Sequence, residues 1–143
     1  MSESLERALR ARLTEGRGSS SSDAVAIAAS GRQLLTQLAA VATPLIGDGG
    51  WRALLARAAH LVRREHAWLL MSLADDPEAS AAALERGAGR QDPGTAADAV
   101  VALLSTITRL CALFIGEQVT IFLMRHAWPG LESQDRSQES LDE

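Results

Sequence analysis

The sequence predicts an all-α fold: a single-domain bundle of four to five helices with a long apolar C-terminal helix at its centre. Three observations carry this. Apolar residues recur at three- and four-residue spacing between the Gly and Pro positions, and no segment alternates with period two long enough for a strand. The chain has 143 residues, the length of one domain. Its 47% hydrophobic and 22% charged residues are ordinary globular values, which excludes disordered and collagen-like chains.

Leu5, Leu9 and Leu13 stand at i, i+4 and i+8 with Glu and Arg between them, so a short amphipathic helix is expected over residues 3–15. Residues 16–22, rich in Gly and Ser, follow as a flexible link to a core spanning 23–128. Asp23 or Ser22 caps a second helix whose apolar face is Ile27, Gly31, Leu34, Leu35, Leu38, Val41 and Leu45; Pro44 and Gly47 end it. A third helix opens after Asp48-Gly49-Gly50, with Trp51, Leu54, Leu55, Ala58, Leu61 and Val62 as its buried stripe. Residues 51–76 contain no Gly or Pro, so one long helix and a pair broken near His66 both fit. Asp76-Pro77-Glu78 opens a short Ala-rich helix ending near Gly87. Asp92-Pro93-Gly94 is then a turn, and Thr95 with Asp98 has capping-box spacing.

The last helix is expected from about Thr95 to Trp128, stopping at Pro129-Gly130. It is apolar nearly all round, with Leu103, Leu104, Ile107, Leu110, Leu113, Phe114, Ile121 and Phe122 among its members. Such a helix must be surrounded, so it reads as the enclosed strut of the bundle, completing a domain of residues 1–131. Residues 132–143 are polar and aperiodic and are expected to form a disordered acidic tail.

Net charge is −4, and residues 132–143 alone contribute −4 (five acids against Arg136), leaving the body neutral. A nucleic-acid binder would carry a basic field, so none is expected. No uninterrupted apolar run of about 18 residues occurs, so a membrane partner is not expected either. All 14 basic residues are Arg, with no Lys, Asn or Tyr, a codon signature of a GC-rich and therefore bacterial genome. One cysteine forms no internal bridge, and the polar start Met1-Ser2-Glu3-Ser4 lacks a signal peptide's apolar core, which together favour the cytoplasm. An aromatic content of 3% makes a Leu/Ala core with close helix packing, which leaves apolar surface for a homodimer or another protein partner.

Three places could hold chemistry. Glu117 has Leu110, Leu113, Phe114, Thr120, Ile121 and Met124 as helical neighbours, so a desolvated carboxylate is expected there. It is either a core ion pair or seam residue, or a ligand-handling group. Small residues Ala102, Ser105, Thr106, Ala112, Gly116 and Thr120 flank Arg109. Such a stripe is either a close helix contact or a cavity wall on which Arg109 holds an acidic ligand. Glu117 and Arg109 are thus the candidate ligand-binding pair of a core pocket.

The third place is His60, opposite the buried stripe of its helix and flanked by Arg52, Arg57, Arg63 and Arg64. It is either part of a solvated face or a phosphate acceptor. Ala59-His60-Leu61-Val62-Arg63 resembles the His, any residue, apolar, basic core of histidine phosphotransfer domains. The resemblance implies His60 as phosphoacceptor and Arg63 as the cation beside the phosphate; Arg64 stands where that family usually has a small residue.

Pro44-Leu45-Ile46-Gly47, the Trp51–Leu69 stretch and Leu113-Phe114-Ile115-Gly116-Glu117 are similar to uncharacterised small all-helical bacterial proteins, over most of residues 34–128. That resemblance implies a fold and no activity. His60, His66 and His126 lack metal-ligand spacing, so no metal and no cofactor is expected. Cys111 lies in an apolar setting and reads as core. Gly47-Asp48-Gly49-Gly50 opens a helix but lacks the rest of a phosphate-binding loop. With no serine-nucleophile elbow, no zinc-binding helix and no other catalytic constellation, the expectation is a non-enzymatic, self-associating interaction or regulatory module. Phosphotransfer at His60 and ligand sensing by Glu117 and Arg109 are the alternatives.

Overall fold

A computed structural model of the protein describes residues 2–14, 24–69 and 77–131, and in that part the chain is all-α. The helices are α1 (Ser2–Thr14), α2 (Ala24–Val62), α3 (Pro77–Ala88), α4 (Pro93–Ile115) and α5 (Glu117–Ala127). The 16–22 link, the caps expected at Ser22, Asp23 and Asp76, and the acidic tail lie outside the described residues.

α1 buries Leu5, Ala8, Leu9 and Leu13, the stripe that its i, i+4 spacing predicts. The expected second and third helices form a single element, α2, which contains Pro44 and bends at Gly47. Gly47 has φ +84° and ψ 163°, a backbone conformation that favours glycine. The bend reverses the chain. Gly31 of the first arm lies so close to α4 that a β-carbon there would sit 2.9 Å from Val100 Cγ2. Leu61 and Val62 of the second arm line a cleft with Val101 and Ala102, the next residues of the same helix. A straight helix would hold residues 31 and 62 roughly 46 Å apart.

α2 ends at Val62, and turns over residues 63–69 follow; Glu65 and His66 both donate their N–H to the Val62 carbonyl, each at 3.0 Å. The break expected near His66 therefore falls three to four residues earlier.

α4 starts beside the beginning of α2. A β-carbon on Gly89, just ahead of α4, would lie 3.9 Å from Val25 Cγ2. From there α4 passes Gly31 at Val100, parallel to the first arm of α2. The expected turn at Asp92-Pro93-Gly94 and cap at Thr95 are displaced by one turn. Asp92 is the N-cap, its Oδ2 accepting from Thr95 N at 3.0 Å and its Oδ1 from the Thr95 hydroxyl at 2.7 Å. Pro93 takes the first helical position, where its missing N–H costs nothing. Asp98 makes no capping box; it pairs with Arg10 of α1 at 2.8 Å.

The expected unbroken strut from Thr95 to Trp128 does not exist. α4 stops at Ile115, Gly116 turns the chain with φ +99° and ψ 151°, and α5 runs back. The return is fixed at its far end, where Trp128 Nε1 donates to the Leu34 carbonyl at 2.9 Å. Gly47 and Gly116 each lie 16 residues beyond the Gly31–Val100 contact, so both elbows sit at one end of the bundle. One face of α4 is enclosed, through Ala96, Val100, Leu103, Leu104, Ile107 and Cys111. The other face is not covered near the elbow: Leu113 is 85% exposed, Phe114 76% and Phe122 58%. Leu110 is half-buried at the edge of the core and Phe114 is outside it.

Two helices, α2 and α4, are long and apolar enough to cross a membrane by length and composition. Neither helix contains an uninterrupted apolar run of about 18 residues. A helix buried in a bundle core passes the same length and composition test.

Candidate functional site

α2's second arm presents His60 with its predicted exposure. Trp51, Leu54, Leu55, Ala58 and Val62 hold the opposite face of this arm in the core, which leaves Arg52, Arg57, His60, Arg63 and Arg64 on the outside. None of these four arginines forms a salt bridge within the described residues. The imidazole is thus accessible among cations, the setting that phosphate acceptance requires and also the setting of a solvated helix face.

Glu117 is displaced from its expected place. The turn at Gly116 ends the apolar helix before it, and the carboxylate stands exposed in the first turn of α5. There it faces the positive end of the helix macrodipole, which needs no core partner. Its expected desolvation is absent because no element among the described residues packs over the outer side of the elbow. Glu117 and Arg109 are not brought together, since the cleft that Arg109 lines does not include Glu117.

Arg109 borders a cleft of about 630 Å³ between α1, the end of α2 and α4. The small-residue stripe divides here. Ala102, Ser105 and Thr106 form one wall of the cleft beside Arg109. Thr120 instead donates its hydroxyl to the Gly116 carbonyl at 2.8 Å and stabilises the start of α5. The Thr106 hydroxyl accepts from Arg109 Nη2 at 3.2 Å and orients the guanidinium. On the remaining walls stand Glu6 and Arg10 from α1, and Glu65 and His66 from the turn after α2. Sequence reasoning found Arg109 and the stripe but not the acids, because residues 6, 65 and 109 converge only through the tertiary fold.

Cys111 is buried, and desolvation raises its thiol to about 11, so it is a core side chain held protonated at neutral pH. Among the described residues no three His, Cys, Asp or Glu side chains are grouped as metal ligands. His66 is edge-on to Trp68, and His126 Nδ1 donates to the Phe122 carbonyl at 3.0 Å.

The exposed apolar residues of the elbow are the second feature that local sequence misplaced. Leu113, Phe114, Val119 and Phe122 lie on both sides of Gly116, and the phenyl ring of Phe122 lies tilted by 40° against the His126 imidazole, with 4.2 Å between ring centroids. Among the described residues, nothing approaches within 4 Å of where a β-carbon on Gly116 would be, so the turn is open to solvent.

The chain matches no protein-family model, and comparison with curated proteins and with solved structures returns no significant match. The two resemblances drawn from its sequence rest on the quoted residues alone. What fold and surface define together is an all-α bundle with an apolar elbow, a basic helix face and a mixed-charge cleft.

Proposed function

We propose that the protein is a non-enzymatic helical interaction module of the bacterial cytoplasm, and that it associates with itself through the α4–α5 elbow. The observation that supports this is the cluster of large apolar side chains left in water around Gly116. Large apolar patches on a protein surface mark interaction sites, and closed twofold dimers are the commonest way to cover them.

The charge pattern of α5 favours a second copy as the partner. Glu117 lies at the start of the helix, and Arg125 and His126 lie at its end. An antiparallel copy of α5 across a twofold axis sets acid opposite base at both ends and Phe122 near the axis. The opposed helix dipoles of such a pair are also favourable.

Size-exclusion chromatography with light scattering on the full chain at tens of micromolar tests this. A dimer is expected for the wild type and a monomer for the folded double variant Phe114→Glu/Phe122→Glu. A monomeric wild type, or a variant that still dimerises, overturns the reading.

A second reading, phosphotransfer, has the exposure of His60 among arginines in its favour. The neutral imidazole would take a phosphoryl group from acetyl phosphate, with acetate leaving. Acid-labile phosphate on the wild type and none on His60→Ala is the expected result. Its absence from both ends that reading.

A further inference from the structure

We infer that the cleft between α1, α2 and α4 is a binding site for a small cationic amino acid, with its carboxylate on Arg109. This does not depend on self-association at the elbow.

The argument begins with size and shape. A volume of about 630 Å³ lies within the range of small-molecule sites. Leu61, Val62, Val101 and Ala102 give the cleft an apolar lining. The polar groups come from three separate parts of the chain and bring charges of both signs to one recess.

The charges can then be counted. Asp98 and Arg10 satisfy each other at 2.8 Å. Glu6, Glu65 and Arg109 remain, and none of the three has a salt-bridge partner among the described residues. Arg109 has its orientation set by Thr106 but no anion to hold. The cleft therefore presents one cation and two anions, a balance of −1 with His66 neutral. A ligand that neutralises it carries one carboxylate and two cationic groups. An amino acid with a basic side chain is the smallest common molecule of that description. Its carboxylate meets the Arg109 guanidinium, a pairing with bidentate geometry available. Its α-ammonium and side-chain cation meet the two glutamates, and its methylene stem lies along the leucine and valine side chains. A diamine would leave Arg109 without an anion, and an acidic amino acid, with only its α-ammonium to offer, would leave one glutamate without a cation and bring a second carboxylate beside it.

Isothermal titration of the full chain with L-arginine and L-lysine tests the inference, with agmatine and L-glutamate as probes that lack one element of the charge pattern. Arginine or lysine is expected to bind, and agmatine and glutamate to bind roughly ten- to a hundredfold more weakly, the loss of one charged hydrogen-bonded contact or more. Arg109→Met and Glu65→Gln are expected to weaken arginine binding by a similar factor, with helicity by circular dichroism confirming that both fold. Phe114→Glu/Phe122→Glu should bind arginine as the wild type does, which separates this site from the elbow. No binding of either basic amino acid up to about 10 mM overturns the inference. So does agmatine binding as tightly as arginine, or an Arg109→Met variant with unchanged affinity.

Discussion

The close approach of α2 to α4 at Gly31 can be tested by adding one methyl group. Gly31 is buried against Val100, and a β-carbon there would lie 2.9 Å from Val100 Cγ2 and 3.0 Å from Cγ1. Because both methyls are in the way, and a valine in a helix is locked near one rotamer, the side chain cannot turn aside. Val100 is fully buried, so it has no space to retreat into. In a free helix Gly→Ala is worth about 1 kcal/mol in favour of alanine. Overpacking a filled core costs about 1–3 kcal/mol. Gly31→Ala is therefore expected to change stability by between about 0 and −2 kcal/mol, against its propensity. Val100→Ala removes two methyls, about 1.6 kcal/mol of transfer free energy at about 0.8 each, plus a cavity term. With those methyls gone, the alanine at 31 has room, and Gly31→Ala in the Val100→Ala background should stabilise by about 1 kcal/mol. The sign reverses between backgrounds, with a coupling of about 1–3 kcal/mol. Urea unfolding followed by circular dichroism, at one fixed protein concentration, measures all four variants. If Gly31→Ala stabilises the wild type by the full 1 kcal/mol or so, or if the two substitutions add within about 0.5 kcal/mol, helices α2 and α4 are not this close.

Two further substitutions probe the core and a helix end. Leu104→Ala, at a fully buried position, should cost about 2–5 kcal/mol, whereas Phe114→Ala should cost less than about 1 kcal/mol at micromolar protein, since only a quarter of that side chain is covered. Equal costs in urea unfolding would mean that the elbow is enclosed after all. Asp92, whose carboxyl is held below its ordinary value chiefly by hydrogen bonds from the Thr95 hydroxyl and amide, should stabilise α4 above the ordinary carboxylate range and lose that effect as pH falls through its lowered value. Thermal melts from pH 7 down to about 2.5 should show wild type and Asp92→Ala converging at the acid end, and a constant gap would refute the assignment.

Much of the architecture was legible in residue spacing. The all-α class, the α1 stripe of Leu5, Leu9 and Leu13, the buried face of Trp51 to Val62 and the outward His60 follow from helical period alone, because a side chain's direction on a helix is set by its position. The elbow was legible too, in a signal that the apolar pattern outweighed. Gly116 followed by Glu117 is a helix stop and then an acidic first turn. Reading the surrounding residues as enclosed equated apolarity with burial, yet Leu113 and Phe114 are apolar and lie in water.

The sequence by itself therefore determined which segments are helical and which face of each is apolar, since both depend on neighbours within a few residues. Only the tertiary structure decided where the chain reverses, whether an apolar face has anything to cover it, and which charges share a space. Gly47 and Gly116 come to one end because α4 runs beside the first arm of α2. Glu6, Glu65 and Arg109 meet because three distant segments pack around one recess. Burial and charge pairing are properties of the space between elements, and no single stretch of chain encodes them.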